Sequence, residues 1–117
     1  SGDRLREWLN LPNSVFYDSK QVAIVPMGFC YPGKAKTGDL PPRKECFKLW
    51  HKPMLSELPK RRLTLLIGAS AQNAYLRGRV KGSLTETVRA YRDYLPEFLV
   101  LPHPSPLNNI WLYKHPW

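Results

Sequence analysis

The sequence predicts an α/β fold, with a short parallel central sheet between two layers of helices (three-layer α/β/α). Short continuous apolar runs, typical of strands covered on both faces, occur at residues 22–25, 63–67 and 98–101. Segments with apolar residues at helical spacing lie around and between these runs. Strands that alternate with helices indicate a parallel sheet.

The amino-terminal segment predicts a short amphipathic helix capped by Asp3. Its apolar residues Leu5, Trp8 and Leu9 recur at helical spacing. Residues 22–25 then predict the first strand.

A loop rich in Gly, Pro and Lys is predicted at residues 26–42, and loops of this length in compact domains are often functional. Residues 43–58 predict a helix packed on one side, with a kink or break at Pro53. The apolar residues that predict its packed side are Cys46, Leu49, Trp50, Met54 and Leu58.

The second half of the chain predicts further strands and helices in alternation. Residues 63–67 predict the second strand, and a short helix is expected near residues 71–76. A helix at about residues 85–94 and a third strand at residues 98–101 follow, and residues 108–114 begin another helix.

Charge points to a polyanionic partner. Eighteen Lys and Arg against nine Asp and Glu give a formal net charge of +9 and a pI near 9.8. We expect a nucleic acid, while charge alone leaves a membrane surface or a solubilising surface open. A soluble, cytoplasmic protein is expected, because no apolar run approaches the ~20 residues that span a bilayer and no leader pattern begins the chain. Two cysteines are too few for a secreted disulfide scaffold.

The segment His103-Pro104-Ser105-Pro106-Leu107-Asn108 follows the third predicted strand and is unusually constrained. Prolines at 102, 104 and 106 fix their own φ angles and restrict the residues before them. The loop therefore presents an imidazole, a hydroxyl and a branched apolar side chain in set directions. Residues at the carboxyl ends of parallel strands share one edge of the sheet, which is where ligands bind in such folds.

This loop resembles the second catalytic motif of the uracil-DNA glycosylase superfamily, which in several branches reads His-Pro-Ser-Pro-Leu. Further segments resemble a bacterial branch of that family, so the resemblance runs from end to end. These segments are residues 1–6, 26–33, 38–43 and 63–68. Enzymes of this kind flip a base out of DNA and break its N-glycosidic bond.

The resemblance implies a role for each group of the loop. His103 would donate a hydrogen bond to the pyrimidine O2, Leu107 would enter the base stack as a wedge, and Ser105 would bind a backbone phosphate, with Asn108 also on the DNA side. Ordinary structural roles stay open: a backbone-bonded loop histidine for His103, helix capping for Ser105, and packing under the last helix for Leu107.

The loop after the first predicted strand would contact the base. Related branches read the base with an asparagine, where this chain has Pro26, Met27 and Gly28. Backbone groups of Met27, Gly28 and Phe29 are the expected base contacts, and Phe29 would stack on the base or lie in the core. The preferred phosphate contacts are Lys34, Lys36 and Arg43.

Cys30 and Cys46 are most simply interpreted as buried, inert thiols. Their spacing also resembles the third and fourth iron ligands of the thermophile-type uracil glycosylases, whose first two ligands form a Cys-x-x-Cys pair. That pair does not occur in this sequence, and two thiols cannot complete a four-ligand site. The resemblance implies a 4Fe-4S iron–sulfur cluster in the intact protein.

The resemblance further implies that residues 1–117 are part of a single glycosylase domain. A first strand, its water-positioning loop and a last helix would lie outside them. On that basis we expect a monomeric DNA-repair hydrolase that acts on DNA, with the 117 residues alone inactive.

Two alternatives stay open. A serine hydrolase would use Ser70, Asp93 and His103 in the order nucleophile, acid and base, although Gln72 stands where the nucleophile elbow wants Gly. A non-catalytic nucleic-acid-binding module would need only the basic and aromatic side chains.

Overall fold

The computed structural model describes residues 2–28, 32–36, 40–58 and 63–116. It divides into two compact units, one of residues up to Pro26 with those from Pro104 onward, and one from Met27 to His103. Each unit is described by itself.

Short helices and two strands make up the regular structure. In chain order the helices are α1 (Gly2–Leu9), α2 (Asn13–Phe16), α3 (Lys44–Cys46), α4 (Lys52–Ser56), α5 (Ala69–Leu76), α6 (Leu84–Arg89) and α7 (Asn109–Lys114). The strands are β1 (Thr64–Ile67) and β2 (Phe98–Leu101). A π-helical turn, Phe47–His51, joins α3 to α4, and 3₁₀ turns lie at Arg77–Arg79, Tyr91–Asp93 and Pro106–Asn108. None of the described helices is long and apolar enough to cross a lipid bilayer.

The two strands form a parallel sheet in the Met27–His103 unit. Thr64 lies opposite Phe98, and Ile67 lies opposite Leu101, so both strands end at the same level. A parallel pair needs a crossover between its strands, and α5 and α6 lie in that crossover. The predicted α/β class with a short parallel sheet is confirmed.

The core of this unit packs between the sheet and its crossover. Its buried residues are Leu66, Ala71, Leu76, Tyr94, Phe98 and Val100. The Tyr94 hydroxyl, the polar end of this cluster, donates a hydrogen bond of 2.8 Å to the carbonyl oxygen of Arg79. Burial of the ring therefore leaves its hydroxyl paired.

The predicted first strand is wrong. Residues 22–25 are extended without a ladder partner among the described residues, and the side chain of Ile24 is 62% exposed. An apolar run forms a strand only when a neighbour takes up its backbone hydrogen bonds. The run at residues 22–25 carries the apolar composition of a strand but lacks that neighbour here.

The packed side predicted for the 43–58 helix is wrong at three of its five residues, while the other two, Cys46 and Leu58, are half-buried. Leu49, Trp50 and Met54 are exposed, whereas Phe47 and His51 turn inward. The wider π-helical turn changes which residues share a face, so spacing based on 3.6 residues per turn does not apply across it. The helix does not break at Pro53. Pro53 lies in the first turn of α4, directly after the π turn, and a proline is tolerated in a first turn although it lacks a backbone N–H.

Two predicted helix boundaries shift for local reasons. Asp3 lies in the first turn of α1 instead of capping it, and its carboxylate pairs with Arg6. The helix expected at residues 85–94 stops at Arg89 and continues as a 3₁₀ turn. Its start is set by Ser83, whose hydroxyl accepts a hydrogen bond from the Glu86 N–H at 3.2 Å.

We expect Leu66→Ala to lower the free energy of unfolding by about 2–5 kcal/mol, since Leu66 is 2% exposed and truncation leaves a cavity. Leu63→Ala is the matched control, because Leu63 is 43% exposed and should cost under about 0.5 kcal/mol. Urea denaturation of both variants measures the difference. Equal losses would contradict the placement of the core.

Candidate functional site

The carboxyl ends of the two strands are joined by the backbone of Gly68. Gly68 follows β1, and its N–H donates a hydrogen bond of 2.9 Å to the carbonyl oxygen of Leu101, the last residue of β2. Its φ of +86° and ψ of 168° are a combination that essentially only glycine adopts. The sharp exit from β1 into α5 therefore depends on a glycine at position 68.

A buried amide reinforces the same strand ends. Gln72, 2% exposed on the first turns of α5, donates from Nε2 to the Leu101 carbonyl oxygen at 2.9 Å and to the Leu66 carbonyl oxygen at 3.4 Å. One side chain thus links β1, β2 and α5. Leu101 O has two lone pairs, which Gly68 and Gln72 share.

His103 lies two residues beyond that carbonyl group. It is exposed, while Pro102 before it is buried. A Cβ built on Gly68 would lie 3.6 Å from both Cβ and Cδ2 of His103, so the histidine side chain packs against the main chain of the glycine. The imidazole therefore sits at the solvent-facing carboxyl edge of the sheet on a firmly held backbone.

The rest of the motif, residues 104–108, belongs to the other unit. The guanidinium of Arg4 donates from Nη1 to the carbonyl oxygens of Pro104 at 3.2 Å and Ser105 at 3.5 Å. The Ser105 hydroxyl accepts from the Leu107 N–H at 3.2 Å, and the Asn108 N–H donates to the Ser105 carbonyl oxygen at 2.9 Å. Ser105 therefore caps the 3₁₀ turn that leads into α7.

Exposure separates the interpretations of Leu107. Its side chain is 69% exposed, so the alternative that Leu107 packs under the last helix is wrong. Asn108 is half-buried at the end of the 3₁₀ turn. Ser105, Leu107 and Asn108 were all expected to face DNA. Of these three, Leu107 has the side chain that is turned most fully to solvent.

The predicted base-contacting loop is tightly packed at Gly28. A Cβ there would lie 3.3 Å from the Cβ of Pro42 and 3.7 Å from the backbone nitrogen of Arg43, so a side chain at position 28 would require Pro42 to shift by a few tenths of an ångström. Met27 packs against the core of the same unit. Phe29 lies outside the described residues.

The three predicted phosphate contacts are all at the surface. Lys34, Lys36 and Arg43 are exposed. The backbone nitrogen of Arg43 lies next to Gly28, another predicted site residue. The long loop itself is pinched where the Leu40 N–H donates a hydrogen bond of 2.9 Å to the Gly33 carbonyl oxygen.

Of the two predicted iron ligands, Cys46 lies within the described residues. Cys46 is a half-buried free thiol, and Cys30 lies outside the described residues. Within the part of the chain that the structure describes, no group of three or more His, Cys, Asp or Glu residues could hold a metal ion. The iron–sulfur cluster stays a prediction.

The structure does not support the serine hydrolase alternative. Asp93, its acidic residue, lies 3.3 Å from the ammonium group of Lys81, measured from Oδ2 to Nζ. Gln72 uses its amide to hold the strand ends, as described above. Gly68 and Gln72, on either side of Ser70, therefore bond the strand ends of the sheet.

A protein-family model described as the Uracil DNA glycosylase superfamily matches residues 1–117 of the chain. The match covers every residue, including both halves of the His103–Asn108 motif. The chain belongs to the uracil-DNA glycosylase superfamily. Members of this superfamily are DNA glycosylases, hydrolases of DNA repair.

Two residues of this glycosylase-superfamily chain were not among the predicted site residues, although they hold the motif. In the sequence, Gln72 is notable only because it does not fit a nucleophile elbow. Arg4 is notable only as part of residues 1–6, which resemble the family. The available signal for Gln72 is a polar residue on the buried side of α5, beside Ala71 and Leu76. Arg4 gives no comparable signal, since its partners lie 100 residues away.

Replacing Gln72 with leucine should lower the free energy of unfolding by about 1–3 kcal/mol, because the Leu66 and Leu101 carbonyl groups lose a buried donor. Asn73→Leu makes a similar change at the exposed neighbouring position, and it should stay within about 0.5 kcal/mol of the wild type. Chemical denaturation compares the two. If Gln72→Leu unfolds like the wild type, the amide does not hold the strand ends.

Proposed function

We propose that the protein hydrolyses the N-glycosidic bond of a uracil, or another damaged base, flipped out of DNA. The observation that carries the proposal is His103, an exposed imidazole held at the strand ends of a chain that matches the superfamily throughout. A flipped base costs a few kcal/mol of stacking and pairing, which the protein must offset by contacts to the extruded nucleotide.

His103 is the proposed catalytic residue. As the bond between the base nitrogen and C1′ breaks, negative charge grows on the base and reaches the pyrimidine O2. An imidazole N–H donated to O2 stabilises that charge, and donors of this kind work best when they are already in place. Water supplies the hydroxyl group that bonds to C1′, and its other proton ends on the departing base.

Gly68 and Gln72 are the proposed positioning residues. Neither needs to touch the base: both bond the carbonyl oxygen of Leu101, two residues before His103. Placement errors of about 1 Å can cost on the order of a hundredfold in rate. A strand end fixed by two hydrogen bonds is suited to keep the imidazole within such a tolerance.

Residues 105–108 are proposed to act on the DNA around the extruded base. The exposed side chain of Leu107 is suited to enter the gap in the stack, as apolar wedges do in DNA-bending proteins. Ser105 and Asn108 are the proposed contacts to the sugar–phosphate backbone. Contacts of that kind position the strand without reading its sequence.

The base itself is proposed to be recognised by main-chain groups of Met27, Gly28 and Phe29. Neither Met27 nor Gly28 has a side-chain amide, so hydrogen bonds to a base at these two positions must come from the backbone. The close packing of Gly28 on Pro42 fixes the backbone there. The proposed phosphate contacts are Lys34, Lys36 and Arg43, which follow this segment in the sequence.

His103→Ala should slow excision of uracil by about a hundred- to a thousandfold in the full-length protein, which is the usual effect of removing one such donor. Affinity for uracil-containing DNA should change little. His103→Asn, which keeps a hydrogen-bond donor, should retain part of the lost rate. Single-turnover release of uracil from single- and double-stranded oligonucleotides measures the three proteins.

Two results would overturn the proposal. One is an unchanged excision rate in His103→Ala. The other is a full-length protein that binds DNA and releases no base, with the variant binding equally well, which is the behaviour of a non-catalytic binding module.

A further inference from the structure

A row of lysines follows the 44–56 helix, made of α3, the π turn and α4, and is named here the lysine helix. Lys44, Lys48 and Lys52 occur at every fourth position and are all exposed. None of them forms an ion pair within the described ranges. A full turn takes 3.6 residues in an α-helix and between four and five in a π turn, so side chains four apart lie close to one face through both parts of this helix.

We propose that the lysine helix is a second DNA-binding surface, which holds the phosphates of the strand that flanks the target base. The proposal rests on the proposed glycosylase function for the identity of its partner. It goes beyond that function, because these lysines lie outside the catalytic motif and outside the loop that carries Lys34 and Lys36.

An adjacent side of the lysine helix is anchored in the protein. His51 is buried, with Nδ1 2.6 Å from the hydroxyl oxygen of Tyr75 on α5. The ring of Phe47 lies edge-on to that of Tyr75 at 5.5 Å, and Tyr75 in turn meets Phe98 on β2 at 6.4 Å. The helix therefore cannot easily roll, and its lysines keep a fixed direction relative to the sheet.

The row also begins at the predicted base-contacting loop. Arg43, the residue before Lys44, has its backbone nitrogen packed on Gly28. From Lys44 to Lys52 the helix extends about 12 Å at 1.5 Å per residue. One DNA strand rises 3.4 Å per nucleotide, so the row spans roughly three to four nucleotides that lead away from the base.

Charge complementarity favours a nucleic acid strand as the occupant. The chain carries a net charge of +9, and an evenly spaced row of ammonium groups matches a polyanion of regular repeat. Leu49, Trp50 and Met54 are exposed on this helix, so a surface of anionic lipid is the alternative occupant that the test has to exclude.

The test compares two triple variants of the full-length protein that have the same net charge. One is Lys44→Gln/Lys48→Gln/Lys52→Gln, and the control is Lys20→Gln/Lys81→Gln/Arg92→Gln, which changes exposed residues elsewhere. Affinity for a uracil-free oligonucleotide is measured from low to moderate salt. A third variant, with arginine at positions 44, 48 and 52, keeps the charge.

The proposal predicts that the lysine-helix variant binds at least about tenfold more weakly at low salt, with a slope of log affinity against log salt reduced by about 2 to 3. The control should keep the wild-type slope, and the arginine variant should restore binding.

Equal slopes in the two triple variants would overturn the proposal, because net charge alone would then explain binding. A loss confined to vesicles of anionic phospholipid, with DNA affinity unchanged, would also overturn it. Because binding uses uracil-free DNA, the result is independent of excision. A protein that excises no uracil yet loses DNA affinity in the lysine variant would refute the proposed function and keep this surface.

Discussion

The carbonyl oxygen of Leu101 is the point on which the Met27–His103 unit depends. It accepts one hydrogen bond from the Gly68 N–H and one from the Gln72 side chain, so the end of β2 is tied at once to the exit of β1 and to α5. His103 comes two residues later and packs against Gly68. In the proposed mechanism the imidazole has to be in place before the reaction begins, and these hydrogen bonds hold the backbone from which it extends.

Buried polar side chains fix the backbone of this protein, and the proposed functional side chains are exposed on backbone that is fixed in this way. Gln72 and His51 are polar side chains buried in contacts that fix α5 and the lysine helix. His103 and Leu107, in contrast, are exposed on backbone that others hold. A buried polar group is costly unless it is paired, so each holding residue also constrains its neighbours to one arrangement.

Much of this organisation was predictable from local patterns, because apolar runs and prolines act on their immediate neighbours. The paired strands at residues 64–67 and 98–101 and the constrained loop after them were found in this way. Residues 22–25 have the same apolar pattern but find no ladder partner within residues 2–28, 32–36, 40–58 and 63–116, which a local pattern cannot reveal. The inward turn of His51 depends on a π turn, and Gln72 bonds a carbonyl group 29 residues away, so neither follows from helical spacing.

A double-mutant cycle on excision tests most directly whether the strand-end hydrogen bonds act through His103. Single-turnover rates are compared for the wild type, Gln72→Leu, His103→Ala and the double variant. The account predicts that Gln72→Leu slows excision about ten- to a hundredfold when His103 is present, and adds almost nothing when it is absent. Rate losses that multiply, with Gln72→Leu costing the same factor in both backgrounds, would contradict it.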